Sequence, residues 1–202
     1  MLMTKIAVLV SGGGTNLQAL IDAEATGIIK SGKISLVISN KEGAYALERA
    51  RRAGIETLVI EKKSYPSTYE FEGALIAALH ERGIELIVLA GFMCILSERF
   101  TGEFANRIIN VHPSLIPSFC GKGFYGLHVH EAALEYGVKV SGATVHFVNE
   151  IPDGGKIIMQ KAVEVMDGDT PELLQKRIME QAEWKILPMA CELVSKELAE
   201  NK

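Results

Sequence analysis

Cysteine is scarce in this chain and shows no pairing. Cys94, Cys120 and Cys191 are the only three, odd in number, far apart and in no C-x-x-C arrangement. Neither a disulfide framework nor a structural zinc knuckle is expected, and a reducing, cytoplasmic setting fits best. Long apolar runs are also missing, since none reaches the roughly 18 residues a membrane helix needs. The stretch Met1–Val10 is apolar but short, carries no small-residue cleavage site and runs into glycines, so it is not read as a targeting peptide. An excess of positive charge is lacking as well. Lys and Arg number 21 against 25 Asp and Glu, a net charge of −4. No nucleic-acid or membrane partner is expected, and any phosphate must be held locally rather than by a basic face.

What is present is ordinary for a globular protein: 48% apolar and 23% charged residues. A chain this long buries roughly 70% of its unfolded surface, so its core needs no staples. No repeat, linker or low-complexity stretch divides it, and one domain over 1–202 is expected. Its first hundred residues would form a phosphate-binding half and the remainder a catalytic half. Ile6–Val10, Ile34–Ile38, Thr57–Ile60, Glu85–Ala90 and Arg107–Val111 read as strands. Helices are predicted after the glycines near Leu17–Ile21, over Tyr45–Ala53 and over Tyr69–Arg82, the last two stopped by Gly54 and Gly83. This alternation calls for a parallel sheet with right-handed crossovers. Pro113–Gly126 has little periodicity and reads as a long functional loop or lid. Val138–Val148 and Lys156–Val165 suggest a hairpin closed by Pro152–Gly155. Thr170-Pro171-Glu172 opens a last helix, in which Pro188 marks a kink or a new segment.

Ser11-Gly12-Gly13-Gly14-Thr15-Asn16 lies where the first strand meets the first helix. Glycines let a backbone approach an anion, and a helix start offers free N–H groups. A dinucleotide fingerprint would need a third glycine at Leu17 and an acid where the second strand ends in Asn40. A Walker loop would need a following Gly-Lys-Ser/Thr. Two readings survive: a monophosphate site formed by Gly14, Thr15 and Asn16, or a tight turn with Thr15 or Asn16 capping the helix.

Asn110 and His112 end the fifth strand and, two residues apart, share a face. That edge of an open α/β sheet is where ligands bind. The imidazole can donate or accept a proton near neutral pH, and an adjacent amide can stabilise an oxyanion. Asp153, before Gly154-Gly155, is by itself a turn residue; facing His112 it would raise the pKa of that ring. Structural hydrogen bonding accounts for these residues one at a time as well as catalysis does.

Taken in order, Ser11–Asn16, Ala90-Gly91-Phe92-Met93, Asn110-Val111-His112-Pro113-Ser114-Leu115-Ile116-Pro117 and Val145–Val148 with Asp153-Gly154-Gly155 closely resemble the phosphoribosylglycinamide formyltransferases. These are folate-dependent enzymes of purine synthesis. The likeness runs nearly end to end. It implies a three-layer α/β/α fold, Rossmann-like and parallel in its N-terminal half, continuing into a mixed seven-stranded sheet. It implies that Gly14, Thr15 and Asn16 hold the substrate phosphate and that Glu183 contacts its ribose. Met93, Cys94, Ile95, Leu96 and Val148 would line a pocket for 10-formyltetrahydrofolate, closed by the residues up to Asp153. Asn110, protonated His112 and Asp153 would form the catalytic trio, with no metal and no covalent intermediate. The implied partners are these small molecules alone, with the chain as monomer or homodimer. The chain departs from the family where Cys94 and the region of Thr68 lack an Arg, where Trp184 follows Glu183, and in its longer loop 118–126.

Other transferases of the same chemistry are weighed by domain content. A methionyl-tRNA formyltransferase needs an added nucleic-acid-binding domain, and a formyltetrahydrofolate hydrolase an N-terminal regulatory one; neither is expected here. A non-catalytic binding module and a nicotinamide oxidoreductase are the readings outside that class. His128 and His130 are expected as two partly exposed histidines at a helix start, and Arg49, Arg51 and Arg52 as a solvated helix face. His146 is open between a core histidine and a neighbour of His112. Lys122 is expected as a solvated loop lysine.

Overall fold

Apolar runs without alternation are the mark of strands covered on both faces, and the chain folds that way. The computed structural model describes residues 3–201; Met1, Leu2 and Lys202, the outermost residues of the expected domain and of the apolar opening stretch, lie outside the described residues. The elements follow in order: β1 (Thr4–Val10), α1 (Thr15–Ala25), β2 (Gly32–Ser39), α2 (Tyr45–Arg52), β3 (Glu56–Val59), α3 (Thr68–Glu81), β4 (Leu86–Leu89), α4 (Glu98–Glu103) and β5 (Ile108–His112). Then come α5 (Leu127–Tyr136), β6 (Val140–Phe147), β7 (Ile157–Glu164), α6 (Pro171–Ile178) and α7 (Trp184–Glu200).

The seven strands form one mixed sheet in the order β3-β2-β1-β4-β5-β6-β7. β1 to β5 are parallel, and β5–β6 and β6–β7 are antiparallel. Ile6, Val8 and Val10 of β1 face Leu17, Leu47 and Leu187 on α1, α2 and α7, together with residues of α5 and α6. Ala7 and Leu9 face Phe71, Leu75 and Phe100 on α3 and α4. This makes three layers. Leu9 is fully buried, so truncating it to Ala would cost about 2–5 kcal/mol.

Strand order reverses between β1 and β4, and ligands of open α/β sheets gather at such a switch point, beyond the carboxyl ends of the strands. The Ser11–Gly14 turn, the Ala90–Ser97 segment and the loop after His112 all leave that edge. Among the described residues, no helix is long and apolar enough to cross a membrane.

Two expectations change, and one helix has no counterpart in the sequence reading. Neither Thr15 nor Asn16 caps α1: its N-cap is Gly14, at φ 72, and no side chain caps it. Pro188 lies within α7 rather than starting it, and the irregularity sits upstream as a π-helical turn over Met179–Glu183. Pro188 has no N–H to donate and its ring crowds the preceding turn, so the helix is rewound just before it. Helix α4 was not legible at all. Its six residues are too few to display a period, and it is specified instead by the Ser97 cap, which accepts from Phe100 N–H, and by burial of Phe100.

Candidate active site

The glycine turn is shaped by its neighbours. Gly14 is left-handed, and a Cβ there would lie 2.6 Å from Ala46 Cβ, so α2 packs against bare backbone. Asn16, one residue into α1, turns its side chain to the π-helical segment: Nδ2 donates to Glu183 Oε2 at 2.7 Å. Asn16 Oδ1 is buried and has no hydrogen-bond partner among the described residues. Glu183 is only 6% exposed, and burial holds its carboxyl above the usual range, partly opposed by the Asn16 bond. Residues 167 positions apart thus meet at the cradle.

The second cluster is assembled by register. β5 and β6 are antiparallel, with Asn110 opposite His146 and His112 opposite Thr144. Cross-strand partners share a face, so alternation brings Asn110, His112 and His146 together. Asn110 Nδ2 lies 3.2 Å from His146 Nε2, and His146 Nδ1 lies 2.7 Å from the Phe147 carbonyl. A carbonyl only accepts, so Nδ1 carries a hydrogen, and Nε2 stands between the Asn110 amide and Asp153 Oδ1. The β6–β7 connection supplies the carboxylate. Asp153 is itself left-handed, at φ 55, and its Oδ2 and Oδ1 lie 3.5 Å from His112 Nδ1 and 3.6 Å from His146 Nε2. Gly155 permits the tight return, since a Cβ there would lie 1.7 Å from the Phe147 carbonyl oxygen.

The loop after β5 completes the cluster. His112 Nε2 donates to the Phe119 carbonyl at 2.8 Å, and Gly121 N–H donates to Asp153 Oδ2 at 2.8 Å. Thr144 seats the loop, donating to the Ser114 carbonyl at 2.7 Å and accepting from Ile116 N–H at 3.1 Å.

The electrostatics correct one expectation. Asp153 does push the His112 pKa upward, with help from the Phe119 carbonyl, but burial is the larger effect and His146 adds to it, so the ring sits below its ordinary value. Burial works against the Asp153 charge too. There, the His146 and His112 rings and the Gly121 amide outweigh it, leaving the carboxyl below its usual range. Burial thus works against the charged form of His112, whereas the groups around Asp153 favour its carboxylate.

A cavity of about 140 Å³ is lined by Asn110, His146 and Asp153 of this cluster, though not by His112, and by Cys94, Leu96 and Val148 among others. Ile95, Ile151 and Pro152 also line it. Val148 is seated by its N–H on the Ile108 carbonyl at 2.9 Å, and Cys94 Sγ accepts from Asn40 Nδ2 at 3.0 Å. Met93 does not line the cavity. It is 57% exposed, and its N–H anchors the segment on Ser11 Oγ at 2.8 Å. A larger cleft of about 840 Å³ lies over Ser11–Gly13 and Lys41–Tyr45, and holds none of Asn110, His112 or Asp153.

Two further expectations are overturned. His128 is exposed and meets Glu131 Oε2 at 2.9 Å, but His130 is completely buried. Its ring nitrogens have no hydrogen-bond partner among the described residues, and burial, followed by His112, pushes its pKa down to about 4. Arg51 and Arg52 are exposed, whereas Arg49 turns back onto the glycine loop: Nε donates to the Gly13 carbonyl at 2.9 Å and Nη1 to Gln18 Oε1 at 3.1 Å. Lys122 is exposed, as expected. Reading residues alone left His146 open and passed over the Phe119 carbonyl and Gly121 amide. The period-2 spacing of Thr144 and His146 was the available signal, but nothing local placed that strand beside β5.

Three comparisons bear on this arrangement. The sequence model of the formyl transferase family matches residues 4–191. Among relatives, the chain is 45% identical to phosphoribosylglycinamide formyltransferase of Haemophilus influenzae over 93% of its own length and 85% of that protein. It is 49% identical to the trifunctional purine biosynthetic protein adenosine-3 of Gallus gallus over 95% of its length, but spans only 18% of that protein. The crystal structure of glycinamide ribonucleotide transformylase 1 from Symbiobacterium toebii superposes with a TM-score of 0.90 at 46% identity, covering 96% of this chain and 89% of that one. An amide, two imidazoles and a carboxylate gathered by β5, β6 and the β6–β7 connection of a mixed sheet thus occur in a chain whose sequence and fold agree over nearly their whole length with these enzymes, and the chain belongs to the formyl transferase family.

Proposed function

We propose that this chain transfers the formyl group of 10-formyltetrahydrofolate to the amine of 5′-phosphoribosylglycinamide, giving the N-formyl product and tetrahydrofolate. The observation that carries this reading is a chain of contacts: Asn110 lies 3.2 Å from His146, and Asp153 lies 3.6 Å from His146 and 3.5 Å from His112, with Asn110, His146 and Asp153 lining one cavity. The relatives' names support the choice of substrates.

The cradle Gly14, Thr15 and Asn16 takes the substrate phosphate, and Glu183 its ribose hydroxyls. The cavity of about 140 Å³ is smaller than the roughly 300–1,000 Å³ of sites that enclose a drug-sized ligand. It takes the ring end of the folate, between Leu96, Val148, Ile95 and Cys94, and leaves the remainder outside. Met93 contributes by anchoring that wall.

The substrate amine attacks the formyl carbon, and the carbonyl electrons move to oxygen. Asn110 donates to that oxyanion; its neighbour His146 holds the amide in place. His112, neutral at rest, offers its Nδ1 lone pair on the side of Asp153, so a proton taken there is met by a carboxylate. Asp153, directly or through a water, passes the amine's proton to N10 of the folate. The C–N10 bond then breaks with its electrons on nitrogen, and no proton is gained or lost overall. Neither metal nor covalent intermediate is required. The protein is read as one domain over 1–202, cytoplasmic, acting as monomer or homodimer on small molecules.

Absorbance loss of 10-formyltetrahydrofolate, measured with and without the phosphoribosylglycinamide acceptor, tests this. Turnover that requires the acceptor is expected. Equal turnover without it would make the chain a hydrolase and defeat the proposal.

A further inference from the structure

Each glycine carbonyl in the turn between β1 and α1 has a fixed partner. Gly12 O accepts from Ala46 N–H at 3.0 Å, Gly13 O from Arg49 Nε–H at 2.9 Å, and Gly14 O from Gln18 N–H at 2.9 Å. The first two partners both belong to α2. In a planar trans peptide the N–H lies antiparallel to the C=O. Drawing Gly13 O toward α2 therefore turns the Gly14 N–H away from it, and drawing Gly12 O the same way turns the Gly13 N–H. Neither amide has a hydrogen-bond partner among the described residues. Arg49 is itself held, by Gln18 Oε1 at 3.1 Å and by the Tyr45 ring, whose centroid lies 5.0 Å from its guanidinium carbon. A solvated face needs none of these contacts.

We propose that Arg49 is a positioning residue for the acceptor's phosphate: its Nε–H, by holding the Gly13 carbonyl, aims the Gly14 N–H and so sets the cradle Gly14–Asn16. This rests on the reading of that cradle as the phosphate site. The group at work is a planar N–H in a fixed direction, which lysine lacks although it keeps the charge.

The test compares wild type with Arg49→Lys, Arg49→Met and Asn16→Ala. It measures KM for each substrate, kcat, and inhibition by inorganic phosphate competing with the acceptor. In both Arg49 variants the acceptor KM should rise about tenfold, the scale of one hydrogen bond to a charged group. Phosphate should inhibit correspondingly less, while folate KM and saturated kcat stay unchanged. Wild-type constants in Arg49→Lys would make the residue a charge rather than an orienting donor and overturn the proposal. An unchanged acceptor KM in Arg49→Met, or equal rises in both KM values, would do the same. Asn16→Ala separates the two layers. If it too leaves the acceptor KM alone, the phosphate-site reading fails; if it raises that KM while the Arg49 variants do not, only the role of Arg49 fails.

Discussion

The cradle and the crevice are built by opposite means. At Gly14–Asn16 the groups proposed to face the ligand are largely backbone amides of consecutive residues, directed by peptide planes and by an α2 that leaves no room for a side chain at Gly14. In the crevice they are side chains from β5, from β6 and from the turn at Asp153, joined by strand register and by a loop that bonds both His112 and Asp153. A contiguous backbone site shows itself as a motif but says little about its ligand, because a capped turn has the same letters. A side-chain site has no local signature, yet once assembled its chemistry is specific. Binding of the phosphate and catalysis at the formyl carbon should therefore fail separately.

The largest effect is expected from Asn110→Ala, which should lower kcat by about 10²–10³, the cost of one oxyanion donor, with acceptor KM little changed. Steady-state kinetics checks this, and wild-type turnover would remove Asn110 from the chemistry. Asp153→Asn should reduce kcat by about 10². It also removes the anion that works against burial at His112, so the imidazole should titrate still lower. NMR titration of the His112 ring would read that shift, and a rise would contradict the assigned electrostatics. On the other side of the comparison, Asn16→Ala should raise acceptor KM about tenfold while folate KM stays level. Losing both affinities together would merge the two subsites.

Glu183→Gln is expected to be the mildest and the most diagnostic. The Glu183 carboxyl lies above its ordinary value because of burial, so the folded state prefers it protonated. Its stabilising contribution is complete below the unfolded value, about 4.5, and is lost as pH rises through the folded one. The neutral amide should thus leave Tm unchanged near pH 4 and raise it at pH 7–8, by about 2–4 °C for each kcal/mol relieved. Acceptor KM should worsen at the same time. Calorimetric melts at the two pH values would expose an error if Tm fell at neutral pH.

Much of the architecture was legible. Ile6–Val10 and Ile34–Ile38 are apolar without alternation because both faces of the strand are covered, and that alone implied a parallel sheet with helices on each side. The hairpin of β6 and β7 and the Thr170 cap of α6 followed from equally local signals. Helix α4 was hidden because six residues carry no period, and the burial of His130 because nothing in Leu127–Tyr136 announces which helix face meets the sheet. Arg49 was misread for a related reason. On its own helix it belongs to a basic cluster, and only the approach of α2 to Gly14 turns it inward.

By itself, then, the sequence determined the strands and most helices, the anion-ready turn, and the pairing of Asn110 with His112 on one face, all properties of short range set by backbone sterics and periodicity. Tertiary structure alone decided that Glu183 meets Asn16, that His146 stands against Asn110, and that burial works against the charge on His112 while its neighbours favour that on Asp153. Those depend on strand register and burial, which are determined by the whole sheet and not by any segment of it.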